Sequence, residues 1–240
     1  QITKPSINND HHNDYQTNIL EMEGSSNALL ESILKVRYGV NAHYDFVEFN
    51  MLELYRQEKG LKHVPQFVEQ QTAEKIKALD SDILKKINSI NVRIDEFMRL
   101  NSLRLNSINF LPILIREAQL KSPDLRNKQL LNYIQTKTLQ YSTNPTEKER
   151  QAIKLSLKSF IDTADFLSQP ELISFKAHIN IILDYTLKTN HIIVDIGAIK
   201  INEDLKVLMD QYSQSYVATN DTIGIYVQVL SIMTLLTILI

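Results

Sequence analysis

Apolar side chains recur at alternating steps of three and four residues along most of the chain, the spacing of one face of a helix in a bundle. Three long stripes show this spacing, at 29–54, 83–115 and 205–230. Gly60 and several prolines separate the segments. The helices that this pattern predicts cover about 24–60, 67–118, 125–141, 146–168, 171–199 and 203–240. We therefore predict an all-α fold, an elongated helical bundle of stacked or twin form with about six helices.

Composition narrows the choice of fold further. The 240 residues include only 5 Gly and 6 Pro, too few for the turns of a multi-strand sandwich or propeller. No glycine-rich phosphate-binding motif is present, and a net charge of −2 gives no electrostatic footprint for nucleic acid. Because the chain has no cysteine, disulfides and thiolate metal sites are excluded. We expect a helical protein that binds neither nucleic acid nor a cofactor.

The two ends of the chain differ in character. Residues 1–22 are rich in Asn and Asp, and we interpret them as a tether. His11 and His12 form the only local histidine cluster and lie in this segment, so we expect no metal site. No charged residue follows Asp221, and we interpret 224–240 as a transmembrane helix, truncated before its end. The alternative is a buried C-terminal helix. Residues 23–223 then form the helical domain.

Two residues test the continuity of the long helices. Pro112 lies inside the second predicted helix, and we expect that helix to kink or end there. Gly224 lies inside the last one, where a single glycine costs about 1 kcal/mol of helix propensity. We therefore predict that the last helix runs unbroken from about 203 to 240.

Two consecutive positions of the second stripe are polar, Asn101 and Arg104. An unpaired charge in a bundle core costs several kcal/mol, so this arginine must be paired, hydrated or bound to a ligand. One interpretation is structural, with an asparagine that fixes helix register and an arginine that reaches solvent or an internal carboxylate. The other is a polar ligand pocket inside the bundle.

A polar row follows the first stripe at Arg37, Asn41, Tyr44 and Glu48. On one continuous helix these side chains point the same way. The row is either a solvated face or one wall of the same pocket. In the second case the arginines would suit a small organic anion, because a guanidinium matches the planar geometry of a carboxylate.

The motifs around these residues resemble those of a known family. The first is Leu30-x3-Leu34-x2-Arg37-Tyr38-Gly39-x4-Tyr44-Asp45, and the second is Phe97-x3-Asn101-x5-Ser107. The resemblance continues through Thr138–Tyr141, His178 and Tyr226, over about 27–240. Together they are similar to the DAHL domain, the double all-helical ligand-binding sensor of bacterial membrane histidine kinases. Phe46 and Ser102 depart from the family pattern, which has proline and alanine there.

The resemblance implies a sensor domain in the periplasm, anchored in the bacterial inner membrane. Its parent would be a two-component histidine kinase, and this segment itself would not be an enzyme. It implies a ligand site that includes His178 beside Arg37, Asn41, Tyr44, Asn101 and Arg104. The partners expected are a small-molecule ligand or a periplasmic binding protein, the membrane, and a second copy of the chain. Polar residues at every third position near the C-terminus suggest a contact, either with a first membrane helix expected to precede this segment or with that second copy: Gln228, Ser231, Thr234 and Thr237.

Two other functions stay open from the sequence. A module that recognises a periplasmic binding protein would expose an apolar patch near 120–131 or 153–166. A membrane-anchored helical scaffold would need no polar core, which Asn101 and Arg104 argue against.

Overall fold

The computed structural model describes residues 7–41 and 43–238, and in these residues it contains seven α-helices and no strand. The predicted all-α fold is confirmed. The helices are α1 Asn9–Arg37, α2 Asp45–Leu61, α3 Gln70–Lys121, α4 Leu125–Thr143, α5 Glu147–Ile161, α6 Gln169–Ala198 and α7 Ile201–Ile238.

The first predicted helix is wrong, because the chain turns between α1 and α2. Gly39 has φ of 71°, and its N–H donates to Val36 O at 3.2 Å while Val40 N–H donates to Lys35 O at 2.9 Å. These two bonds form a Schellman motif, which ends a helix at a glycine. Val40 is 76% exposed although it lies on the predicted stripe. The row from Arg37 to Glu48 therefore does not lie on one helix.

The N-terminal segment is helical where we expected a tether. Asn8 caps α1, since its Oδ1 accepts hydrogen bonds from Asp10 N at 3.0 Å and His11 N at 3.3 Å. Within the described residues 7–22 the buried side chains are those of His12, Tyr15, Ile19 and Met22. An apolar face at helical spacing, rather than the Asn-rich composition, decides the structure of this segment.

The two longest helices, α3 and α7, are continuous through Pro112 and Gly224, respectively. The α3 helix does not end at Pro112 and continues to Lys121. The α7 helix passes Gly224 without a break, as predicted. The last two residues of the prediction, 239 and 240, lie outside the described part of the chain.

The chain divides into two compact units. Unit 1 contains the described residues of Gln1–Ile33, His43–Asn91 and Gly197–Ile240, and unit 2 those of Leu34–Ala42 and Val92–Ile196. Unit 1 consists of most of α1, the first part of α3, and α2 and α7, while unit 2 consists of the last turn of α1, the rest of α3, α4, α5 and nearly all of α6. The largest buried side chains of unit 2 are Tyr141, Phe97, Phe160 and Phe175.

The C-terminal part of α7 is apolar and exposed. Its large apolar residues from Ile225 to Leu235 are between 46% and 63% exposed. Within residues 7–41 and 43–238, no helix combines the length and the hydropathy that a membrane span requires.

Candidate functional site

A buried polar cluster lies in unit 2, on the face that α3 turns toward the core. Asn101 is 0% exposed and Arg104 is 2% exposed, as their place in an apolar stripe predicts. The Arg104 guanidinium donates to Asn101 Oδ1 from Nε at 3.0 Å and from an Nη at 2.8 Å. The same Nη donates to the main-chain oxygen of Arg37 at 2.6 Å. These bonds hold Arg104 against the end of α1.

Arg37, the last residue of α1, continues the cluster toward α4 and α6. Its side chain is buried, and its Nε donates to Asn190 Oδ1 at 2.9 Å. Both of its Nη atoms donate to the main-chain oxygen of Ser142, each at 3.2 Å. Burial lowers the pKa of the Arg37 guanidinium. Its ordinary value lies so high that the group stays charged at physiological pH.

Two helix ends compensate these buried cations. Arg37 closes α1 and Ser142 is the penultimate residue of α4, so their carbonyl groups have no acceptor role inside their own helices. The C-terminus of a helix carries a partial negative charge, which favours a cation. The guanidinium of Arg104, which belongs to α3, contacts the C-terminus of α1. The guanidinium of Arg37, which belongs to α1, contacts the C-terminus of α4. This explains how the bundle holds the buried Arg37 guanidinium without a described carboxylate beside it.

Arg37 has no acidic partner among the described residues. No Asp or Glu oxygen of 7–41 or 43–238 lies within 4 Å of its guanidinium. A guanidinium has five N–H groups, and Arg37 uses three of them in the bonds to Asn190 and Ser142. Two N–H groups and a full positive charge therefore remain for another acceptor.

Asn41 does not join this cluster through a hydrogen bond between described side chains. Asn41 lies in the turn after α1, half-buried, where its N–H donates to Lys35 O at 3.2 Å. Tyr44 precedes α2 in unit 1, and its main-chain oxygen accepts from Val47 N at 2.8 Å and Glu48 N at 3.0 Å. The residue types of the motif thus serve the turn and the start of α2.

His178 lies in unit 2 on α6, half-buried. Its Nδ1 is 3.1 Å from Ser107 Oγ, and its ring centroid is 5.0 Å from that of Phe110. Ser107 follows Arg104 by one turn of α3 and is also buried. The buried polar face of α3 therefore extends from Asn101 to Ser107, and Ser107 contacts His178 on α6.

Residues of α4 and α6 belong to the site although the sequence did not assign them to it. Ser142 and Asn190 bind Arg37, and Thr138 and Thr186, each four residues earlier on the same helix, are fully buried. The Oγ1 atoms of these threonines have no hydrogen-bond partner among the described residues. Both lie at apolar positions of their helices, next to Ile134 on α4 and Ile182 on α6. This is the signal that revealed Asn101, a polar residue in an apolar stripe.

Comparison with known families identifies the chain. The DAHL domain profile matches residues 7–227. The chain belongs to the DAHL domain family. A search of curated proteins finds no match to this DAHL domain. The predicted membership is confirmed over nearly the whole chain, and membership implies a helical sensor domain.

In this DAHL domain, the conspicuous residues of the first motif have distinct structural tasks. Arg37 binds Ser142 and Asn190, Gly39 supplies the left-handed conformation, and Tyr44 precedes α2. The arrangement offers fixed positive charge and hydrogen-bond donors inside a helical unit. Such a site is suited to recognising an anion.

Proposed function

We propose that this chain is the ligand-sensing input domain of a bacterial membrane histidine kinase and that unit 2 binds a small organic anion. The observation that carries the proposal is Arg37, a buried guanidinium whose described partners are all uncharged. A ligand carboxylate would supply the negative charge that the surrounding residues do not.

The donors that remain on Arg37 favour a carboxylate over a neutral ligand. The edges of the Arg37 guanidinium that could form two parallel bonds already donate to Asn190 and Ser142, so each remaining N–H would give a carboxylate oxygen one charge-assisted bond, about twice as strong as a neutral one. The hydroxyl groups of Thr138 and Thr186 add polar groups that lack a partner among the described residues. A small dicarboxylate or hydroxycarboxylate would have one carboxylate for the Arg37 guanidinium and a second polar group for the threonine hydroxyls.

The signal would leave through α7. This helix is continuous over Ile201–Ile238, and the sequence after Asp221 carries no charge. We infer that it enters the inner membrane, that the sensor units lie in the periplasm, and that a displacement of packed helices carries the signal. Gln228, Ser231 and Thr234 would contact a second copy in a homodimer. Cysteine cross-linking at these three positions in membranes tests the dimer, and a complete lack of cross-links contradicts it.

A second candidate function is recognition of a periplasmic binding protein. It is favoured by large apolar side chains that unit 2 leaves exposed, namely Leu120 at 79%, Leu125 at 68% and Leu155 at 69%. Replacing all three with glutamate would then abolish the cellular response and leave anion binding by the purified chain intact.

A thermal-shift screen of the purified chain against small carboxylates and neutral metabolites tests the leading proposal. A ligand at 100 times its Kd stabilises the fold by about 2.7 kcal/mol, a readily measured rise in Tm. We expect at least one carboxylate to stabilise the wild type, and neutral analogues of equal size to have no effect.

Three variants separate binding from folding. Arg37→Gln should lose the ligand-dependent shift, and Arg37→Lys, which keeps the charge but not the planar fork, should weaken binding about tenfold. Arg99→Gln is the matched control, because Arg99 is exposed on α3 and should respond like the wild type. Stabilisation that persists in Arg37→Gln, or no stabilisation by any carboxylate, would overturn the proposal.

A further inference from the structure

Unit 1 contains a groove that the proposed ligand site does not use. It lies where α2 ends and the connection to α3 begins, and its volume is about 720 Å³. The start of α1, the 62–68 connection and the first turns of α3 contribute its walls. The residues that matter for its chemistry are Asn8, His11, Lys62, His63 and Lys77.

Every titratable side chain that lines this groove is basic. His11, Lys62, His63 and Lys77 take part, and no aspartate or glutamate does. Lys77 is exposed, and no carboxylate of the described residues lies within 4 Å of its Nζ. Lys62 Nζ is 3.3 Å from Glu58 Oε1, but the lysine side chain is still half exposed. A positive potential that charges of one sign create in a concave surface attracts anions.

The kinds of basic residue distinguish this groove from the cluster in unit 2. No arginine lines it, so an anion there would meet the point charges of lysines rather than a planar fork. Lysine acts instead as a compact point charge with rotatable donors, which suits the tetrahedral oxygens of a phosphate group.

We propose that this groove binds a small phosphate-bearing anion, held by Lys62 and Lys77 with His11 and His63 as further donors. Inorganic phosphate and a phosphate monoester share the group that the groove would recognise. The chain would then have two anion sites of different selectivity, one in each unit.

Histidine NMR on the full chain tests the proposal at the level of single residues. The chain has six histidines, of which His11 and His63 line the groove while His178 and His191 lie in unit 2. With ¹³C-labelled histidine, inorganic phosphate at constant pH and ionic strength should shift the His11 and His63 signals to saturation. Chloride and acetate should not do so. The variants His11→Gln and His63→Gln assign the signals.

Charge-matched variants separate a specific site from general attraction. Lys77→Gln should weaken phosphate binding about fivefold to tenfold. Lys59→Gln removes the same charge from the exposed face of α2, outside the groove, and should change binding less than about twofold. A methyl phosphate titration then shows whether a monoester binds as well as the free ion.

Three outcomes would overturn the proposal. They are the absence of saturable shifts at His11 and His63, equal weakening by Lys59→Gln and Lys77→Gln, and shifts confined to His178. The last result would assign phosphate to unit 2. None of these outcomes bears on carboxylate binding through Arg37, so the two sites can fail separately.

Discussion

The two units bury charges of opposite sign. Unit 2 buries arginines, and their hydrogen bonds end on main-chain carbonyls and asparagine side chains. Unit 1 buries carboxylates, since Glu58 is 2% exposed and Asp80 is 8% exposed. Glu58 Oε1 and Asp80 Oδ1 have no hydrogen-bond partner among the described residues, although Lys62 Nζ lies 3.3 Å from Glu58.

The difference shows what a helix bundle can and cannot compensate. The end of a helix presents carbonyl oxygens and a partial negative charge, so a cation finds partners there without a carboxylate. A buried carboxylate needs N–H donors, which the middle of a helix does not supply. Burial, followed by the charge of Glu58, raises the pKa of Asp80 to about 6, against the opposing effect of Lys62. Unit 1 should therefore respond to pH, while the charge of the unit 2 cluster is constant.

The largest effect is expected from Arg104→Ala in unit 2. The change leaves Arg37 O and Asn101 Oδ1 without the donors that Arg104 supplies, and each buried unsatisfied acceptor costs about 1–3 kcal/mol. We expect the free energy of unfolding to fall by about 3 kcal/mol. Urea denaturation measures it. Arg99→Ala on the exposed face of α3 should cost less than about 0.5 kcal/mol, and equal losses in the two variants would contradict this account of unit 2.

A smaller effect of opposite sign is expected from Asp80→Asn in unit 1. The folded-state pKa of Asp80 lies above its ordinary value of 3.8, so its carboxylate destabilises the fold increasingly as pH rises from about 4 to 6. Asparagine removes the charge, and we expect a gain of about 1–2 kcal/mol at pH 7.5 after solvent screening and no gain at pH 4.

Asp82→Asn is the control for this pH dependence. Asp82 is exposed and accepts a hydrogen bond from Lys85 Nζ at 2.8 Å, which lowers its pKa. Its replacement should slightly reduce stability at pH 7.5, the reverse of the Asp80 effect. Thermal melts of both variants at pH 4 and 7.5 decide the matter. A pH-independent gain for Asp80→Asn would show that packing, rather than charge, is responsible.

The smallest effects come from two glycines, one in each unit. Gly39 in unit 2 has φ of 71°, and a Cβ there would meet no atom within 4 Å, so Gly39→Ala should cost about 1 kcal/mol through the backbone alone. Gly24 lies inside α1 in unit 1 with equally open space, and Gly24→Ala should add about 0.5–1 kcal/mol. Denaturant titration compares them. If both substitutions changed the free energy of unfolding in the same direction, the left-handed conformation of Gly39 in the turn after α1 would be contradicted.

The sequence predicted the helical fold because the apolar spacing repeats over long segments. It failed at the turn after α1 because the spacing of three and four continues from Val36 through Val40 to Val47, although the chain leaves the helix between them. Gly39 was the available signal. A glycine can end a helix or lie inside one, and only the conformation of the chain distinguishes the two.

The sequence could predict which polar residues are buried, but not which residues they contact. Asn101 and Arg104 were found as polar residues in an apolar stripe, and Asp80 follows the same rule between Ile76 and Ile83. The hydrogen-bond partners of the Arg37 side chain lie more than 100 residues away along the chain, on α4 and α6. Spacing along one helix contains no information on which other helix packs against it.

Autophosphorylation of the proposed parent histidine kinase in lipid nanodiscs, measured against the concentration of a carboxylate that binds this chain, tests the central claim most directly. The account predicts a saturable change in the wild type and in Arg99→Gln, and a loss of that change in Arg37→Gln at equal basal activity. A wild-type activity that no bound carboxylate alters, or a response that survives in Arg37→Gln, would contradict it.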